Sequence, residues 1–365
     1  MRRNGIFSPS PGAGVPAACA LLFGVGLTAI YSVSLPENRD WPERHLFSAF
    51  VALCCAVAIF QCPLRRLRRC TPIVMAAVIV ALAAVFAFAP SGGAHRWLKI
   101  GGLSLQPSEL CKWAALLAAA HYASRPLYKR GQMEFVAPVV LWLLPPLCLL
   151  ALQSDYGTLI LVAVSALAIL FVSGLDLRLT GGLAALLALA SAPLILLAPY
   201  RMQRLASFID PFSAAGGYHQ KQALIAFVQG DVWGRGAERS VLKWEFLPKG
   251  HNDFIAAIIG EEMGLAGILA VCVLFAVVAG GAIKIGNAAE ARGEIFGALF
   301  SFGCAAMLSA QAFIHIGGNL ALLPSKGLTL PLVSYGGSSL LATGLMLGVL
   351  MRVDYENRRD AARET

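Results

Sequence analysis

Charge is what this sequence has least of. Asp, Glu, Lys and Arg make up 13% of its 365 residues, against 58% hydrophobic ones. A water-soluble globule carries about twice that share of charge, so an ordinary soluble domain is excluded. Cysteine occurs nine times, an odd number, and none of the nine lies in the long polar stretch 200–252. That excludes a disulfide framework, and with no C-x-x-C pair the usual zinc spacing is missing too. The cysteines read as small apolar packing residues. Internal repeats and low-complexity segments are also absent. No small-residue cleavage site follows the first apolar block, "VPAACALLFGVGLTAIYSVS". The block is therefore expected to remain as a first span rather than leave with a signal peptide.

What the chain does have is apolar runs of about 20 residues, the length that crosses a bilayer core as helix. Mean hydropathy is +0.71. Ten spans are expected, near 15–34, 45–62, 73–90, 108–124, 137–153, 158–174, 181–199, 254–283, 293–317 and 334–352. The expected fold is an all-α polytopic integral membrane protein, one transmembrane domain over residues 1–365. An even number of spans puts both termini on one side. Connections on that side hold sixteen Lys and Arg, and the short connections opposite hold five. The positive-inside rule then places both termini in the cytoplasm. The net charge of +9 is read the same way, as topological signal and attraction to anionic membrane lipids rather than to nucleic acid.

Three connections fall on the opposite, extracytoplasmic face: 91–107, the large loop of about 200–253 between spans seven and eight, and 318–333. Long structured loops tend to be functional. Ionisable residues gather toward the same face. Glu109 and Lys112 open the fourth span three positions apart, on one helix face. Asp253, Glu261 and Glu262 open the eighth; Asp155 lies in a short turn; Arg96 and Lys326 belong to the connections. Ionisable residues at membrane depth mark functional sites by default. The bland readings are a structural Glu109–Lys112 pair, a pair of glutamates that orient loop cations, and glycines in "GEEMGLAG" and "GLMLG" that serve close helix packing. They leave unexplained why cations and carboxylates from separate segments converge. Lys and Arg suit a phosphate or pyrophosphate, and a carboxylate suits a hydroxyl that must lose its proton. A groove open to the bilayer would take a lipid tail. The large loop adds seven Lys/Arg and two tryptophans, Trp233 and Trp244, suited to the membrane interface. A lipid-linked pyrophosphate sugar meets all these demands.

Three stretches, "RWLKIGGLSLQPSELCK", "FLPKGHNDFIAAIIGEEMG" and "NLALLPSKGLTLPLVSYGGSS", resemble the SEDS family of shape, elongation, division and sporulation proteins. Among its FtsW, RodA and SpoVE branches, "LLPSKGLTLPLVSYGGSS" is most similar to FtsW. The resemblance covers nearly the whole chain, in order. It implies polymerisation of peptidoglycan strands from lipid II at the outer face of the cytoplasmic (inner) membrane. The family's His-Thr-Asp-Phe pattern matches "HNDF" here, which implies Asp253 as the catalytic acid, with Asn252 in place of Thr. Its Pro-Ser-Glu-x-x-Lys matches Pro107, Ser108, Glu109 and Lys112, which line the family's central cavity, and its Arg-Trp matches Arg96 and Trp97. "QSDYGT" and "QGDVWGRG" depart from the family wording and bear on loop geometry.

The mechanism then expected has Asp253 as general base on the acceptor 4-hydroxyl. The leaving undecaprenyl pyrophosphate is met by Lys112, Arg96, Arg204 and Lys326. Glu261 and Glu262 orient loop cations. Ser334 and Tyr335, in "SYGGSS", let a loop and a helix start pack beneath the cavity. Family analogy alone adds a divalent cation, Mg²⁺ or Mn²⁺, with no readable ligand spacing. It also adds the nascent glycan strand, a class B penicillin-binding transpeptidase and other division proteins as partners. A lipid II flippase, a binding scaffold and an elongation-type polymerase are the alternatives.

Overall fold

The computed structural model describes residues 12–364 apart from 38, 91–94, 101–102, 125–131, 197–201, 203–207, 209–216, 245–249 and 325. Helices stand at all ten expected spans. They are α1 (Gly14–Glu37), α2 (Trp41–Gln61), α3 (Leu64–Ala84), α4 (Pro107–Ala123), α5 (Gln132–Leu152), α6 (Tyr156–Val172), α7 (Leu177–Leu196), α9 (Ile255–Glu290), α10 (Ile295–Asn319) and α11 (Gly337–Glu364). A shorter helix, α8 (Tyr218–Gly230), belongs to the large loop. Six of the spans are long and apolar enough to cross a membrane by length and hydropathy alone. Of the rest, α6 and α7 contribute shorter apolar stretches, α4 is interrupted by Glu109 and Lys112, and α11 ends in charged residues. The chain is an integral membrane protein.

Local chemistry sets several of the helix starts. Pro42 and Pro107 occupy the first turns of α2 and α4, where a missing N–H costs nothing. Asp155 caps α6 by accepting from Thr158 N at 3.3 Å. Between α3 and α4 the chain forms a small antiparallel hairpin, β1 (Leu98–Ile100) on β2 (Leu103–Leu105), with Leu98 opposite Leu105. The core draws chiefly on α4, α6, α9 and α10, with α1, α3, α5 and α11 packed into it, and Lys112 is among its most deeply buried side chains. Gly344 and Gly348 on α11 meet the Ala52 and Ala56 carbonyls of α2, the close approach expected of "GLMLG".

Helix α9 departs from expectation. It is not one continuous span: Gly264 sits at φ 66°, ψ −166°, and breaks it. Gly264 therefore does not serve simple helix packing, as its place in "GEEMGLAG" had implied. Residues 265–283 carry no charge and rise about 28 Å as helix, close to the roughly 30 Å of a hydrocarbon core. The break thus stands at the loop end of an apolar stretch long enough to span a hydrocarbon core. Leu265, Leu269 and Val273 follow it at four-residue spacing, all exposed, as a lipid-facing stripe. Glu261 and Glu262 lie on the loop side of the break, ahead of the apolar stretch.

Candidate functional site

The broken helix is clasped by the large loop. Arg235 N and Gly236 N donate to the carbonyls of Glu261 and Glu262, in the last turn before the break, at 3.0 Å each. Leu265 N and Ala266 N, the first donors after it, reach the carbonyls of Asp231 and Val232 at 2.9 and 3.1 Å. Four orphan backbone groups are thereby satisfied without water. The two glutamate side chains finish the clasp. Glu261 accepts from Ser240 Oγ and, at 2.8 Å, from Val241 N. Glu262 accepts from Ser32 Oγ on α1 and from Ser240 N. The cations Arg235 and Lys243 stand farther off, at 3.9 and 4.0 Å. The glutamates hold the loop chiefly through serines and backbone, with the cations second.

This clasp makes a prediction. Gly234 sits at φ +79°, and an added Cβ would overlap the Glu262 carbonyl. Gly234→Ala should destabilise the loop by on the order of 2 kcal/mol. Limited proteolysis should then cut within 231–244 faster than in the wild type, with the other loops unchanged.

The turn before α9 carries Asp253, half-buried, and is stitched at every residue. Tyr335 N donates to His251 O at 3.0 Å. Ser334 Oγ donates to Asn252 O at 2.9 Å and accepts from Leu330 N at 2.8 Å. Asn319 Nδ2 donates to Asp253 O at 3.0 Å. The His251 ring stacks on Trp41, centroids 3.9 Å apart. On the carboxylate side, a Cβ at Gly327 would stand 3.7 Å from Asp253 Oδ2. The acid therefore borders the segment 326–330, and Lys326 is the next residue along it. Gly327 has φ +66°, a conformation that favours glycine.

Deeper in, Lys112 Nζ lies 2.7 Å from Glu109 Oε2 and donates to Gln311 Oε1 at 2.9 Å. All three side chains are buried. Gln311 Nε2 in turn donates to Thr329 O at 2.8 Å, and Thr329 Oγ1 pairs with Ser339 Oγ. His315 Nδ1 contacts Leu328 O at 2.6 Å. Gln106 ties the start of α4 to its neighbours: its side chain donates to Ser108 Oγ and Asp155 Oδ2, and its N–H to Ser338 Oγ.

The structure thus brings Asp253 together with Ser334, Tyr335 and Gly327, next to Lys326, and Glu109 and Lys112 reach the same segment through Gln311 and Thr329. Arg96 is placed otherwise. Its guanidinium donates to the carbonyls of Gln153 and Ser154, at 3.1 and 2.6 Å, and so fixes the α5–α6 turn. Trp97 is half-buried beside it. Arg204 lies outside the described residues. Among the described residues no three His, Cys, Asp or Glu side chains converge on a metal position. Gln311, His315 and Asn319 had not been singled out from sequence, although "QAFIHIGGN" places them four apart in an otherwise apolar helix.

Comparison with known proteins identifies the family. The family model described as cell cycle protein, covering FtsW, RodA and SpoVE, matches residues 14–359. A probable peptidoglycan glycosyltransferase FtsW of Burkholderia thailandensis is 37% identical over 357 residues, 92% of this chain and 77% of that one. Its counterpart from Tolumonas auensis is 36% identical over 364 residues, 96% of this chain and 93% of the other. Among solved structures, a chain from a study of polymerization and crosslinking by a peptidoglycan synthase complex superposes with TM-score 0.77 at 27% identity, covering 94% and 97%. RodA of Thermus thermophilus superposes with TM-score 0.70 at 26% identity, covering 94% and 96%. The chain belongs to the FtsW/RodA/SpoVE family of cell cycle proteins.

Proposed function

We propose that the chain is a peptidoglycan glycosyltransferase that polymerises glycan strands from lipid II. The observation that carries this reading is the half-buried Asp253 carboxylate, set against the Lys326–Leu330 segment above a buried Lys112. A base and cations at one membrane boundary are what transfer onto a hydroxyl, with a pyrophosphate leaving, requires. Asp253 takes the proton of the acceptor's GlcNAc 4-hydroxyl as that oxygen attacks the anomeric carbon of the donor strand. The bond to pyrophosphate breaks on the opposite face, which inverts the centre to a β-1,4 linkage. Lys326 and Lys112 stabilise the charge on the departing undecaprenyl pyrophosphate. Arg96 acts by holding the Gln153–Ser154 turn, next to the Asp155 cap.

The loop face looks into the periplasm, and the basic connections lie in the cytoplasm under the inner membrane, against anionic lipids. The FtsW relatives favour a role in septal wall synthesis during division over an elongation role. The family's similarity to a synthase complex supports a class B penicillin-binding transpeptidase as partner, alongside other division proteins; nothing favours nucleic acid. The test is polymerisation of purified lipid II in detergent by the chain with its transpeptidase. Polymer is expected. Labelled lipid II crossing vesicle membranes with no polymer formed would make the protein a flippase instead.

A further inference from the structure

We propose that Gln311, His315 and Asn319 form a positioning spine that holds the Asp253 carboxylate and the Lys112 ammonium in fixed relation to each other. The inference rests on the polymerase reading above. The three residues recur at four-residue spacing on α10, so they share one face and climb about 12 Å along it. Each holds a different part of the site. Gln311 bridges Lys112 Nζ on α4 and Thr329 O. His315 holds Leu328 O. Asn319 holds Asp253 O and, in its own helix, His315 O, at 3.0 and 2.9 Å. The base, the loop that borders it and the buried cation are thus all hung on one rigid helix.

Packing alone does not call for these side chains. All three are nearly fully buried, at 1%, 4% and 3% exposure, where an unpaired polar group costs about 1–3 kcal/mol. Their bonds to neighbouring segments offset that cost. The contact with a carbonyl also fixes the tautomer of His315: Nδ1 must carry the hydrogen, which leaves Nε2 an acceptor. Nε2 of His315 and Oδ1 of Asn319 are both buried without a hydrogen-bond partner among the described residues. The spine therefore turns its donors to the main chain of the mouth. Pinned at 328 and 329, the segment holds Gly327 against the Asp253 carboxylate.

The experiment compares initial rates of lipid II polymerisation, across substrate concentration, for the chain with its transpeptidase. His315→Leu deletes the donor; His315→Asn keeps one where Nδ1 stood. Asn319→Asp keeps size and deletes the donor to Asp253 O. His315→Leu and Asn319→Asp should lose about tenfold to a hundredfold in kcat, because misplacement of a base by about 1 Å costs that much. KM should hold within roughly twofold, and His315→Asn should recover most of the rate. Should His315→Asn fall as far as His315→Leu, or both donor deletions keep wild-type kcat, the spine is overturned. An inactive wild-type chain would overturn the polymerase reading along with it. An active wild type beside two undiminished donor deletions would overturn the spine alone.

Discussion

Asp253→Asn is expected to reduce lipid II polymerisation by ~10²–10⁴-fold, the range that positioned general-base catalysis supplies, while leaving the protein folded and inserted. The structural reason for intact folding is specific. Bonds from Tyr335, Ser334 and Asn319 reach main-chain oxygens of residues 251–253, and the His251 ring rests on Trp41. None of these stitches uses the carboxylate, and asparagine keeps its shape. The thermal unfolding midpoint in detergent should therefore stay at the wild-type value as the rate collapses. Asp253→Glu keeps a base but displaces it by one methylene, so its rate should fall between the two. A polymerisation rate for Asp253→Asn near wild type would remove this residue from the chemistry.

The spans were legible because hydropathy is a bulk property. Each apolar block must be helix to satisfy its own backbone in lipid, and local sequence decides little else. The break in α9 was not legible for the same reason. Residues on both sides of Gly264 are helix-forming, and the partners that make the break tolerable arrive from residues 231–236, some thirty positions away. Only the positive φ, which glycine permits, has a trace in the sequence. Asp253, Glu109 and Lys112 stood out because charge is rare here. Gln311, His315 and Asn319 did not, since a search for charged side chains passes over uncharged ones, though a buried amide or imidazole also needs its partners. Arg96 carries a bond its charge did not disclose. Its charge marked it for a phosphate, yet a guanidinium is satisfied equally well by carbonyls at a helix C-terminus. The roles of the glutamates were nearer, since loop organisation needs acceptors whichever donors arrive.

Lys112→Ala is expected to stop turnover, and two physical causes would give that result. Lys112 is 0% exposed and its ammonium is 2.7 Å from the Glu109 carboxylate. Removing it strands a buried anion, which costs about 3–5 kcal/mol and could disable the enzyme through instability alone. The double variant Glu109→Gln with Lys112→Met separates the causes. It takes both charges out of the low-dielectric interior, and replacing a buried ion pair by packed neutral side chains is often neutral or stabilising. Its unfolding midpoint should therefore recover toward wild type. Its polymerisation rate should remain down by about 10²-fold, the loss expected when a preorganised charge is withdrawn from the developing anion. Gln311 keeps its bond to Thr329 O in this variant, so the loop that borders Asp253 stays pinned and cannot account for the deficit. Stability regained without turnover assigns the Lys112 charge to the leaving pyrophosphate. Stability and turnover regained together would confine that lysine to holding Glu109, and leave Lys326 as the cation that serves the reaction.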